Sequence, residues 1–153
     1  MATLKLDVPT LAQELSDCCW NTSAMMIWMY WQSQSGRQGP MNTLNRTYER
    51  NHGITPQEFI TLARTIGLEP LPNKSLHSSG DLHWDLKSKG PLWCAGHWFG
   101  PGHVIVLTGI DGGQVFFNDP DGGVKKSATV AWFNKKLASS LHGSLMFKDP
   151  GRY

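Results

Sequence analysis

The spacing of hydrophobic positions changes character near the middle of the chain. Between Cys19 and Gln32, Ala24, Ile27, Trp28 and Trp31 recur at helical spacing and predict an amphipathic helix. Ser16 or Asp17 stands where an N-cap would be, and Ser35-Gly36 and Gly39-Pro40 end the pattern. A short helix is predicted around Thr43 to Asn51. Thr55-Pro56-Gln57-Glu58 has the form of a capping box with proline at the first helical position, which predicts a helix stopping near Gly67. Asp81 to Lys89 predicts another, ended by Gly90-Pro91.

After Pro91 the pattern becomes strand-like. Leu92 to Ala95 is a short apolar run, and His103 to Thr108 is rich in β-branched residues. Gly112-Gly113 predicts a hairpin turn, and Gln114 to Phe117 the returning strand, closed by Asn118-Asp119-Pro120. Val130 to Leu137 predicts a surface helix and Ser144 to Lys148 a final strand. Helices first and an antiparallel sheet second describe an α+β fold. The expected organisation is one domain over 1–153, with a helical half at about 14–89 and a sheet half at about 91–153.

Composition narrows the function classes. At 153 residues, 40% hydrophobic and 17% charged, the chain has enough apolar residues for a packed core and is not disordered. The net charge is +2, and the basic doublets Lys125-Lys126 and Lys135-Lys136 read as solvated surface, so no nucleic-acid partner is expected. No apolar run approaches the ~18 residues of a membrane span, and Met1 to Thr10 lacks the apolar core of a signal peptide. Three cysteines, two of them adjacent, read as free thiols. The expectation is a soluble protein, with no membrane partner, acting in a reducing, cytoplasmic compartment, in a target cell if another module delivers it there.

Cys19 is the candidate nucleophile. It stands where a helix is predicted to begin, and the positive end of the helix dipole favours a thiolate. Cys18 competes for the role, but one residue along a helix turns a side chain by about 100°, so only one of the pair faces a given base. His103 is the candidate base, with Gly100, Pro101 and Gly102 leaving room for a substrate before it; His97 is a rival. Asp119 is the candidate third member, because the Gly112-Gly113 hairpin brings the end of its second strand beside the start of its first. Alternation sends Asn118 to the other face. The amide of Gln13 is placed to stabilise an oxyanion. Trp20, Trp93, Trp98 and Gly102 are candidates for the substrate cleft, with packing in the sheet core or at its rim the alternative for Trp93 and Trp98, and Cys94 reads as a buried strand residue. The spacings of Cys18, Cys19, Cys94, His97 and His103 match no usual ligand pattern, so no metal and no cofactor are expected.

Gln13 lies six residues before Cys19, and Trp20 follows it. This segment resembles the active-site segment of papain-like cysteine proteases. Leu6-Asp7-Val8-Pro9, the block Gly102 to Asp111 and the run Val115 to Pro120 are similar to the small bacterial branch of that superfamily, which includes secreted effector proteases and the leader-cleaving domains of bacteriocin exporters. The resemblance covers about residues 6–120. It implies a papain-like fold and a cysteine endopeptidase that uses Cys19, His103 and Asp119, with Gln13 in the oxyanion hole. The same residues would serve other acyl chemistry, as in an amidase, a deamidase or a transglutaminase-like enzyme. A non-catalytic binding module of the same fold is a further alternative. The implied partners are a protein or peptide substrate and, for a delivered effector or toxin domain, a cognate inhibitor or immunity protein. No propeptide is expected before the catalytic segment.

Overall fold

The computed structural model describes residues 3–13, 19–35, 55–59, 61, 67–72, 74–100 and 102–150. Among the described residues, the strands are β1 (Thr3–Lys5), β2 (Leu68–Pro70), β3 (Leu92–Gly96), β4 (His103–Asp111), β5 (Gln114–Asp119), β6 (Val124–Thr129) and β7 (Leu145–Lys148), and the fully described α-helices are α1 (Cys19–Ser35), α2 (Ser79–Lys89) and α3 (Val130–Lys136). The strands form one antiparallel sheet in the order β2-β7-β3-β4-β5-β6, with β1 pairing to the far end of β4.

The α+β architecture is the expected one, an N-terminal helix followed by an antiparallel sheet. The sheet nevertheless recruits two strands from the first half of the chain. β1 and β2 have three residues each, too short to show alternation in the sequence, and they form because β4 and β7 offer them open edges. β6 was not expected either. Its sequence, VKKSAT, is polar and almost wholly exposed, and it becomes a strand by pairing along its length with β5. Lysines on such an edge discourage pairing with another chain. The helix predicted after Thr55 opens as a 3-10 turn, Pro56–Glu58, in which Glu58 accepts from the Thr55 N–H at 2.8 Å; Phe59 and Thr61 are helical, and residues 62–66 lie outside the described residues. The expected caps at Ser16 or Asp17 and the helix over Thr43 to Asn51 lie outside the described residues.

Both faces of the sheet are covered. α1 buries Trp20, Ala24, Met26 and Ile27 against Trp93, Ala95, Val104 and Val106 on one face. α2 and α3 bury Leu82, Leu86 and Phe133 against Leu92, Cys94, Ile105, Leu107 and Phe117 on the other. The central strands β3 and β4 therefore read as continuous apolar runs, since both of their faces are core. α2 starts at a complete capping box, Ser78 with Asp81, and stops at Gly90, where φ is 80°. α3 is capped by Thr129, whose hydroxyl accepts from Trp132 N–H. Among the described residues, no helix is long and apolar enough to cross a membrane.

β3 and α3 meet at Gly96. A Cβ there would stand 2.5 Å from the Lys136 carbonyl oxygen and 2.8 Å from the Trp98 ring. Gly96→Ala is expected to cost about 1–3 kcal/mol, the usual penalty of overpacking, read as a lower midpoint in thermal unfolding. Gly113→Ala, in open space at the exposed hairpin turn, is expected to have a much smaller effect.

Candidate active site

Cys19 is the first residue of α1 and is half-buried. Two bonds hold this end of the helix on the sheet. Trp93 Nε1 donates to the Trp20 carbonyl at 3.0 Å, and Ser23 Oγ, one turn beyond Cys19, donates to the Val104 carbonyl at 3.2 Å. Val104 follows His103, so the second bond ties the start of the helix to the start of β4.

The hairpin β4–β5 positions the other two candidates. Its register runs from Asp111↔Gln114 to Gly109↔Phe116, then shifts at a bulge and continues as Leu107↔Phe117 and Val106↔Asn118. The extra residue, Thr108, changes the parity of everything beyond it. Without the bulge, Asn118 would pair with Leu107 and share the face of Ile105 and His103. With it, Asp119 takes that face and Asn118 turns to the other. There the Asn118 amide donates to the carbonyls of Val8 at 3.0 Å and Pro9 at 3.3 Å.

His103 Nε2 lies 2.7 Å from Asp119 Oδ1. An ionised carboxylate only accepts, so Nε2 carries the proton and Nδ1 is left for the Cys19 sulfur. Asp119 is 1% exposed, and its two oxygens have three donors. Oδ1 also accepts from Asp121 N–H at 2.9 Å, and Oδ2 accepts from Lys126 Nζ at 2.8 Å. Burial favours the neutral acid, but the bonds from His103, Lys126 and Asp121 outweigh it and hold the carboxyl down at about 2. For His103, burial opposes the charged ring, and pairing with Asp119 and Cys19 overcomes it, raising the imidazolium to about 9. The pair is thus a carboxylate and an imidazolium at neutral pH.

Gln13 is half-buried and reaches the site through its backbone, its N–H donating to the Pro120 carbonyl at 2.7 Å. The tripeptide Asn118-Asp119-Pro120 therefore touches three parts of the site: the segment leading to Gln13, His103, and Gln13 itself.

Other candidates fall elsewhere. Trp20, Trp93 and Trp98 are at most 2% exposed and pack in the core, so they offer no surface to a substrate. For Trp93 and Trp98, position before His103 suits a cleft or a core, and burial decides for the core. Gly102 is exposed beside His103, as is Phe99, whose ring centroid is 6.3 Å from that of His103. His97 is exposed, and its Nδ1 lies 3.3 Å from the Gly100 carbonyl in its own loop. Cys94 is fully buried, and burial pushes its thiol well above the ordinary range. Cys18 lies outside the described residues. Lys126, which the sequence pattern assigns to solvated surface, binds the buried carboxylate. The signal for it was the second hairpin, Gly122-Gly123, which returns Lys126 diagonally across from Asp119.

Comparison with known proteins bears on the fold and the family. The fold matches the crystal structure of a double glycine motif protease from an AMS/PCAT transporter in complex with the leader peptide, with a TM-score of 0.55 and 17% identity over 95% of this chain and 96% of that one. No curated protein matches the sequence. The family described as "Papain-like cysteine protease AvrRpt2" matches residues 2–138, nearly the whole chain, and the protein belongs to that family of papain-like cysteine proteases.

Proposed function

We propose that the protein is a cysteine endopeptidase acting through Cys19, His103 and Asp119 and a thioester acyl-enzyme. The observation that carries this is the bracketing of His103, with Asp119 2.7 Å from Nε2 and Cys19 pairing with the imidazole. In this mechanism His103, charged at neutral pH, already holds the Cys19 proton on Nδ1, and the thiolate attacks the scissile carbonyl. The oxyanion is held by Gln13 and the backbone N–H of Cys19. The imidazolium then protonates the departing amine, and the C–N bond breaks to leave the thioester. His103 next takes a proton from water, hydroxide adds to the thioester carbonyl, and the thiolate leaves with the acid product. Asp119 keeps Nε2 protonated and the ring aligned throughout.

The substrate is proposed to be a protein or peptide. Support comes from the protease family and from the solved relative of like fold, which is a protease in complex with a leader peptide. A delivered effector or toxin role, with a cognate inhibitor, is supported by the similarity of Gly102 to Asp111 and Val115 to Pro120 to the small bacterial proteases. The direct test is to incubate the wild-type protein and Cys19→Ala with a proteome and map the new N-termini. Cleavage is expected with the wild type alone; the same termini with Cys19→Ala would remove Cys19 from the mechanism. Cys18→Ala is expected to keep most of the activity.

Limiting iodoacetamide at neutral pH is expected to label Cys19 well before Cys94, whose thiol is buried and held protonated. Peptide mapping reads the order, and faster labelling of Cys94 or Cys18 would contradict the assignment.

The imidazolium that protonates the amine is lost as pH rises through its value of about 9, so kcat/KM is expected to fall above that pH. Asp119→Ala, which removes the group holding the ring, is expected to move this limb to lower pH and to cost much activity, though less than His103→Ala. Gln13→Ala is expected to lower kcat by roughly 10²–10³-fold with little change in KM, since its amide acts on charge that develops only during attack. An unchanged kcat would exclude the amide from the oxyanion hole.

A further inference from the structure

Asp119 has two cations on it, and the catalytic proposal uses only one. Lys126 Nζ sits 2.8 Å from Oδ2, the oxygen that His103 does not use. The ammonium also stands 4.3 Å from the centroid of the Phe99 ring, within the range of a cation–π contact. Phe99 in turn lies beside both His103 and Trp132. The lysine is therefore fixed between an aromatic face and a carboxylate, and the carboxylate is almost completely buried. This is a different situation from an ion pair between two solvated side chains.

We propose that Lys126 is a positioning residue that shares the Asp119 carboxylate with His103 and so limits how tightly that carboxylate holds the imidazolium proton. The proposal rests on the triad reading above. A buried carboxylate with no second cation would direct its full charge at the imidazolium. The ring would then be a weaker acid, slower to give its proton to the departing amine. With Lys126 on Oδ2, part of that charge is already balanced, while Oδ1 stays on Nε2. The groups that act on the imidazole are Asp119 from β5 and Cys19 from α1. Those that act on the carboxylate are His103 from β4, Lys126 from β6 and the backbone N–H of Asp121 in the turn. His97 in the preceding loop is exposed and bonded to Gly100.

The test needs no substrate. The His103 ring is titrated by NMR in the full-length protein carrying ¹³C-labelled histidine, with His103→Gln to assign the signal. The wild type is compared with Lys126→Met, Lys126→Arg and Asp119→Asn. Lys126→Met keeps an unbranched side chain of similar length and removes the charge, and it is expected to raise the His103 titration by roughly 0.5–1 pH unit, the size of one charge acting through partly solvated surroundings. Lys126→Arg is expected to return it to the wild-type value, which loss of packing alone would not explain. Asp119→Asn is expected to lower it. An unchanged or lowered titration in Lys126→Met, with Asp119→Asn lowered as expected, overturns the role of Lys126 and leaves the triad reading intact. No change in Asp119→Asn overturns both. On a peptide spanning a cleavage site mapped with the wild type, Lys126→Met is expected to lower kcat several-fold with KM unchanged.

Discussion

One residue of extra chain in β4 decides which side chain meets His103. The bulge at Thr108 reverses the parity of the hairpin, so that Asp119 and not Asn118 lies on the histidine's face. The chemistry on both faces enforces this choice. On one side, three donors converge on a buried carboxylate. On the other, two backbone carbonyls, those of Val8 and Pro9, need a donor and receive the Asn118 amide. A slip of one residue would set a carboxylate against carbonyl oxygens, where it has nothing to accept from. It would also leave Lys126 without its partner. A buried charge stripped of its partners costs several kcal/mol, so the register is fixed by polar chemistry as well as by hydrophobic alternation. Thr108 takes part directly, its hydroxyl donating to the Phe116 carbonyl at 3.2 Å and its own carbonyl accepting from Leu6 N–H at 2.8 Å.

Cys19, the proposed nucleophile, comes from the other end of the chain and is held to the same geometry by packing. Trp20 and Trp93 do much of this. Each is buried, and the indole of one donates to the carbonyl of the other. Ser23 adds a bond to Val104, next to His103. The first turns of α1 are therefore buried on nearly every side, with Asn21, Thr22 and Ser23 inside as well as the apolar residues. An error of about 1 Å in placing a catalytic group can cost on the order of 10²-fold in rate, and such burial leaves the helix start little freedom to move. Trp20, beside the proposed nucleophile, thus has a mechanical reason to be there, separate from any contact with substrate.

Much of this is legible in the sequence. The period change near Pro91 located the sheet, and Gly112-Gly113 located the hairpin that pairs His103 with Asp119. Both signals are local, carried by residues adjacent in sequence. What the sequence hid was non-local. β1 and β2 are too short for periodicity, and β6 is too polar, so each exists because a neighbouring strand offers it hydrogen bonds. The bulge was hidden too. Its parity change happens to leave Asp119 where an argument from hairpin closure alone had put it. Trp93 and Trp98 were ambiguous because an aromatic residue near a candidate histidine suits a cleft wall and a sheet core equally. Only the packing of α1 and α3 on opposite faces decides for the core.

The lysine doublet Lys125-Lys126 shows the same limit at the scale of two residues. Composition treats adjacent like charges as one solvated patch. On a strand they face opposite ways. Lys125 pairs in register with Asn118, and Lys126 with Phe117, one step from Asp119 on the same face. Being on an edge strand, Lys126 keeps its flank in water while its head reaches a carboxylate that is 1% exposed. This lets the protein bury an aspartate where a neutral asparagine would need less support. The carboxylate is desolvated once, by three donors, and only one of these, the imidazole Nε2–H, belongs to a group that exchanges protons in the proposed reaction. The other two are fixed. Charge held constant by an ammonium and a peptide N–H allows the third bond to change character, from imidazole to imidazolium and back, without leaving the carboxylate uncompensated at any step.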